Sequence, residues 1–138
     1  GHGIERAFAG QRGADGFALL DLAEAQRLRD QGWRGPVLLL EGVFEPRDLE
    51  LCSRLDLWHV VHNNAQIDWL AAHKTHAPQR VFLKLNSGMN RLGFTPAAYR
   101  SAWARLTSWT LCSYRLRALS SPSPSVTSRT APRRSALG

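Results

Sequence analysis

The sequence predicts a parallel β/α architecture of about four to five strand–helix units, followed by a tail of different character. Two observations carry this. Apolar segments begin near Gly16 (GFALL), Val37 (VLLLE), Trp58 (WHVVH) and Arg80 (RVFLKL), so they recur every 21 or 22 residues. Each run is continuously apolar rather than alternating, as in strands covered on both faces, and each precedes an amphipathic segment with a readable helix start. That period belongs to parallel strands joined by helical crossovers. Four or five units make about half of an eight-unit barrel, and a doubly wound sheet satisfies the same pattern.

The elements can be justified in order. Gly1-His2-Gly3 forms a turn ahead of a short helix from Ile4 to about Gln11. Strands are expected over 16–20, 37–41, 58–62 and 80–85. After the first, Asp21 is an N-cap with Glu24 three residues on, a capping box that satisfies two orphan amides. Its helix presents Leu22, Ala25 and Leu28 on one side and ends at Gly32. Pro46 suits the first position of the second helix, where the missing N–H costs nothing, and Leu49, Cys52 and Leu55 form its apolar stripe. Asn63 and Gln66 frame the third helix, which is expected to bury Ile67, Leu70 and Ala71. Thr95 caps the fourth, with Pro96 at its first position and Tyr99, Trp103 and Leu106 at i, i+4 and i+7.

Composition sets outer bounds. The 138 residues suffice for one small domain with a modest core, and 43% hydrophobic content suits a globular protein. No apolar run approaches the roughly eighteen residues of a spanning helix, so no membrane partner is expected. Gly1 opens the chain and Met89 is the only methionine, so residues are expected to be missing upstream. Cys52 and Cys112 form no C-x-x-C pair, which suits a reducing, cytoplasmic location, and Cys52 is expected to pack rather than react.

The net charge of +7 is unevenly placed. Residues 1–106 hold thirteen basic and all eleven acidic residues, a net of +2. The other five arginines (115, 117, 129, 133, 134) lie in residues 107–138, which are rich in Ser, Pro and Arg and read as a disordered basic tail. The body is therefore near neutral, and nucleic acid is not the expected partner.

The stretch with most chemical content is Arg80–Phe94, RVFLKLNSGMNRLGF. A buried strand carrying one lysine, Lys84, gives way to a loop with two glycines and one arginine, Arg91. A strand ending in a glycine-containing cationic loop is what the C-terminal face of a parallel sheet offers an anion, although a merely solvated arginine satisfies the same string. No metal site is expected. His59 and His62 lie three apart on a strand and so point to opposite faces, and nothing completes a set around His73 and His76. No Walker, G-x-G-x-x-G or G-x-S-x-G motif occurs.

LKLNSGMNRLGF closely resembles the alanine racemase family, fold-type III enzymes that use pyridoxal 5′-phosphate (PLP). The resemblance runs from GHG at Gly1 through ADGFALLDLAEAQRLRDQGWRGPVLLLEG to about Leu106. It implies that residues 1–106 are part of a TIM-type (β/α) barrel rather than a doubly wound sheet. It implies interconversion of L- and D-alanine with PLP as cofactor, and a homodimer. Arg91 would match the arginine that bonds the PLP phenolic oxygen and the substrate carboxylate. Lys84 would match the lysine, often carbamylated, that holds this arginine, and the two sit at the family's seven-residue separation. The Schiff-base lysine of the family lies in a K-A-x-A-Y-G-H-G segment, of which only GHG is present here; the tyrosine base belongs to a C-terminal domain. Neither is in this chain, whose only lysines are Lys74 and Lys84, so no catalytic acid or base is expected in it and it is expected to be inactive alone; a truncated non-catalytic fragment or an interaction scaffold is the alternative reading. Residues 107–138 depart from the family pattern, whose next element carries a histidine of the PLP site. A change of reading frame would account for that break.

Overall fold

The structure, a computed structural model, describes residues 3–11, 13–73, 78–108 and the backbone of 114–120. A short helix α1 (Ile4–Gly10) precedes an alternation of β1 (Phe17–Leu19), α2 (Leu22–Asp30), β2 (Val37–Leu39), α3 (Asp48–Arg54), β3 (Trp58–Val61), α4 (Asn64–Ala72), β4 (Gln79–Leu85), α5 (Pro96–Ser108) and β5 (Tyr114–Ser120). The strands form one sheet in sequence order, every pair parallel. The register carries Val37 beside Phe17, Trp58 beside Leu38, and Arg80 beside Trp58, offsets of 20, 20 and 22 residues that stay close to the period read from the sequence.

Side chains alternate between two faces. On one, Val37, Leu39, Val61, Val81 and Leu83 join Leu28, Leu49, Ile67, Leu70 and Leu106 of the helices in a single core. Truncating one of its leucines to alanine would cost about 2–5 kcal/mol, transfer and cavity terms together. The opposite face carries Trp58, stacked on Phe82 with ring centroids 5.5 Å apart, and the Arg80 guanidinium 5.5 Å from the Trp58 ring. Towards the strand ends this second face is open. Leu20 is 56% and Leu40 39% exposed, and nearby Phe44 is 63% exposed. Continuous apolar runs predicted cover on both faces; among the described residues, only the helix-facing side of β1 and β2 receives it.

Local signals act largely as read. Asp21 accepts a hydrogen bond from the Ala23 amide at 2.8 Å and Asn63 one from the Gln66 amide at 2.9 Å, each relieving an orphan donor at a helix start; Asp21 reaches the second helical amide rather than that of Glu24, so it is a simple N-cap and not the expected capping box. α2 ends as the sequence indicates. The Gly32 amide donates to the Arg29 carbonyl and the Trp33 amide to the Leu28 carbonyl, the paired bonds of a Schellman motif. Trp33 then closes an edge-on aromatic group with Phe8 and Phe17.

Three expectations need correction. Pro46 is not the first residue of α3. The Asp48 amide bonds to the Glu45 carbonyl and the Leu49 amide to that of Pro46, so the proline shapes a tight turn before the helix. Ala71 is exposed, and Gln66 is buried in its place, drawn in by backbone carbonyls described below. Trp103 is 37% exposed and lies stacked on Tyr99, while α5 packs through Ala102 and Leu106, whose smaller side chains allow the closer approach.

Within the stretch expected to be tail, α5 runs to Ser108 and Tyr114–Ser120 pairs with β4 over its whole length. Residues 109–113 and 121–138 lie outside the described residues. So do His2, Lys74, His76, Cys112 and Trp109. Four strand–helix units and a fifth strand are therefore present, within the range the sequence predicts.

One polar chain ties the layers together. His59 is fully buried on β3 and donates through Nε2 to Gln79 Oε1 on β4 at 2.7 Å, while Gln79 Nε2 donates to the Leu49 carbonyl of α3 at 2.9 Å. Its Nδ1 is buried without a partner, so a second proton there would meet no acceptor. Burial, only partly offset by Gln79, accordingly pulls the imidazole down to about 4. Cys52 packs as expected, and burial with the nearby Asp48 carboxylate pushes its thiol up to about 12.

Two outcomes follow. Because the folded His59 binds its proton less readily than the unfolded side chain, stability should rise with pH between about 4 and 6.5, by up to about 3 kcal/mol from this group. Urea melts at pH 4.5 and 7.5 should show this increment, and His59→Gln should remove it; an unchanged increment in that variant would refute the assignment. Second, among the described residues β1 and β5 have unpaired strand edges and the face opposite the helices is open, so sedimentation should show concentration-dependent association and thermal unfolding should be shallow. A strictly monomeric species with a sharp melt would contradict this.

Candidate functional site

The C-terminal end of β4 is built by a short, closed loop. Asn86, the first residue after the strand, accepts at Oδ1 from the amides of Gly88 and Asn90, both at 3.1 Å, and donates from Nδ2 to Asn90 Oδ1 at 3.0 Å. Its own amide donates to the Phe94 carbonyl, and the Phe94 amide returns to the Lys84 carbonyl, both at 2.9 Å. Eight residues thus leave β4 and come back to it, with Phe94 buried at 5% as the anchor. Gly93 makes the return possible. Its φ is +118°, and a Cβ there would lie 2.8 Å from the Asn86 amide nitrogen and 3.0 Å from the Lys84 carbonyl oxygen.

Arg91 rides on this loop, exposed, at the C-terminal end of the sheet. Lys84 is half-buried on β4, and alternation puts it on the face of Phe82 and Arg80, away from the helices. Among the described residues neither side chain forms a hydrogen bond or ion pair. The structure therefore brings the two predicted residues to one strand end and shows no contact between them. Two cations without internal anions at a strand end are suited to an external carboxylate, phenolate or phosphate.

The neighbouring rim, between β2 and β3, is polar and well satisfied. Gln66, 2% exposed, donates to the carbonyls of Glu41 at 3.2 Å and Val43 at 3.0 Å and accepts from the His62 amide at 2.8 Å. The His62 ring reaches the Glu41 carbonyl at 3.0 Å from Nε2. His59 and His62 thus have different partners, Gln79 inside the sheet for the first and the Glu41 carbonyl beyond the strand end for the second. Sequence reading missed the role of Asn86, although Asn followed two residues later by Gly is the signature of a side chain that closes its own turn. It also missed Gln66 as a rim residue, since its place at a helix start reads simply as a capping partner.

Residues 1–120 match the family model described as alanine racemase, N-terminal domain. The chain belongs to that family. Alanine racemases of Paracidovorax citrulli and of an Acidovorax species are each 82% identical to it over 106 residues, which is 77% of this chain and 29% of theirs. Among solved structures, the biosynthetic alanine racemase of Pseudomonas aeruginosa superposes with a TM-score of 0.77 at 39% identity, covering 85% of this chain and 32% of that one. That of Acinetobacter baumannii gives 0.70 at 33% identity, covering 78% and 33%. The chain therefore spans about three tenths of the length of the curated relatives it matches. With these neighbours the sheet is a partial α/β barrel of the alanine racemase type, and the doubly wound alternative falls away. The family match also reaches past Leu106 to the end of β5. No helix among the described residues is long and apolar enough to cross a membrane.

The loop yields a direct check. Gly93→Ala should destabilise the chain by about 2 kcal/mol, through both its backbone conformation and the contact with Asn86. Asn86→Ala should cost about 1 kcal/mol and speed amide exchange at Gly88 and Asn90. Unchanged exchange at those two amides would show that the loop is held by something other than Asn86.

Proposed function

We propose that this chain forms part of an alanine racemase barrel, with Arg91 as the residue that receives the cofactor's phenolic oxygen and the carboxylate of alanine. The observation that supports this best is Arg91 itself, exposed, without an ion pair among the described residues, and carried on a loop locked to the C-terminal end of β4. The family relation of these residues supplies the identity of the ligands.

The residues fit the anionic edge of PLP: a guanidinium offers paired donors to oxygen anions, and a second cation stands on the same strand. When bound, PLP draws electrons from the bonds of the amino acid's α-carbon and so acidifies its C–H. Arg91 would hold the substrate carboxylate and fix the α-carbon relative to the cofactor ring. Lys84 as an ammonium would repel Arg91. Carbamylated, it becomes an anion able to accept from the guanidinium and fix its orientation, which accounts for the role the family implies. No other lysine among the described residues stands at a strand end, and the chain supplies neither a cofactor-linking lysine nor a second base. Alanine and a second subunit are the proposed partners, and a buried protonated Cys52 suits a cytoplasmic setting.

The purified chain should neither link covalently to PLP nor racemise alanine; absorbance in the visible band of PLP adducts and chiral analysis of alanine after long incubation read these two points. Turnover by the chain alone, lost on Lys84→Ala, would overturn the assignment. The binding role is tested by transplanting residues 1–106 into the matching segment of the Paracidovorax citrulli enzyme. The chimera should keep racemase activity, and Arg91→Ala within it should lower kcat/KM by about ten- to a hundredfold, the loss of a charge-assisted contact. An unaffected chimera would remove Arg91 from the site.

A further inference from the structure

The opposite end of the sheet, where strands begin, holds a cavity of about 260 Å³ lined by Arg29, Arg34, Arg54, Leu55 and Asp56. It sits between two successive helix-to-strand connections, α2 to β2 and α3 to β3. Arg29 is 7% exposed and bound on nearly every side. Its Nε donates to the Leu55 carbonyl at 2.9 Å, its Nη1 to those of Trp33 at 3.0 Å and Gly35 at 2.8 Å, and its Nη2 to that of Asp56 at 3.1 Å. Four of the five guanidinium N–H groups are thereby used, and one on Nη2 is left over. The carbonyls satisfy hydrogen bonds without cancelling the unit charge. Burial and the nearby Arg34 hold this guanidinium below its ordinary value, with only Asp56 opposing them.

Among the described residues Asp56 is the only acid lining the cavity, and its carboxylate is shared with Arg80 at 3.4 Å. Arg34 and Arg54 are exposed, and among the described residues neither has an ion pair. Three positive charges against one negative therefore converge on one concavity whose floor cannot move, since Arg29 is pinned to two connections at once. Arginines that only needed solvation would gain nothing from converging there, because their mutual repulsion grows as they approach. The negative ends of α2 and α3 point the same way and explain one arginine each. They do not explain a third.

We propose that this cavity is an anion site for a small phosphate-type anion, with Arg29 as its fixed floor and Arg34 and Arg54 as the side chains that close on the ligand. Planar forked donors match phosphate oxygens, and the volume lies below the range of drug-sized ligands, which favours inorganic phosphate or diphosphate over a nucleotide. The site is independent of Arg91, which lies at the other end of the same sheet.

Calorimetric titration of the full chain with inorganic phosphate and with diphosphate, at ionic strength held constant with sodium chloride, tests the proposal. Saturable binding at one site per chain is expected, weakened about tenfold by Arg34→Ala and again by Arg54→Ala, and unchanged by Arg100→Ala on the exposed face of α5. Bound diphosphate should also raise the melting midpoint, an effect the double variant should lose. Absence of saturable binding overturns the proposal. Binding that survives in the double variant, or that disappears with Arg91→Ala instead, overturns it equally, while leaving the reading of the barrel untouched.

Discussion

Two parallel strands cannot be joined by a tight turn; the chain must travel back along the sheet before it can pair again. Every larger feature of this protein descends from that constraint. A return as a helix of seven to thirteen residues plus two connections takes about twenty residues, which sets the period of the sequence. The returning helix needs an apolar stripe against the sheet, so one face of each strand becomes core and the other is left for whatever else the barrel supplies. With β1 and β2 only three residues long, a few buried side chains carry much of the alignment. The His59–Gln79–Leu49 chain is placed where it can hold β3, β4 and α3 in one arrangement.

The same constraint makes the two ends of the sheet chemically different. Connections leaving the strands are free to be shaped for ligands, and the loop after β4 is shaped by one asparagine and one glycine around an arginine. Connections entering the strands follow helix C-termini, where exposed carbonyls gather and arginines are drawn to them. Arg29 satisfies four carbonyls from two connections, which makes it a structural residue whatever else its charge attracts. Arg91 satisfies none. That contrast supports reading the first as a fixed element and the second as one kept for an external partner.

The period, the four strands and most caps were legible in the sequence because each rests on local rules: continuous apolar runs, Asp21 and Asn63 before helices, Gly32 after one. What was not legible depended on tertiary geometry. Trp103 lies on the apolar arc of α5 by spacing alone, yet the close approach of that helix selects Ala102 and Leu106 and leaves the large ring to lie on Tyr99. Gln66 is drawn inward by the Glu41 and Val43 carbonyls, which come from a loop more than twenty residues away. The strand Tyr114–Ser120 is masked by its surroundings: YRLRALS alternates apolar and polar residues, but the Ser, Pro and Arg content around it outweighs seven residues in any composition argument. Of the site, Arg91 and Lys84 were visible as types in a pattern, whereas the latch through Asn86 needed the loop's path to be seen.

Gly42 shows how unevenly the molecule would tolerate change. It lies buried at the end of β2 with φ at +72°, and a Cβ there would intrude on the Val60 carbonyl oxygen and stand 2.8 Å from Gln66 Nε2. Backbone of neighbouring units meets at that point with no side chain between. The rim on the ligand side is thus welded at the level of the main chain, while the entry end of the same two strands is spaced by a long side chain around a cavity. A side chain is therefore excluded outright at the first, whereas at the second one particular side chain, Arg29, is required to span the gap between two connections.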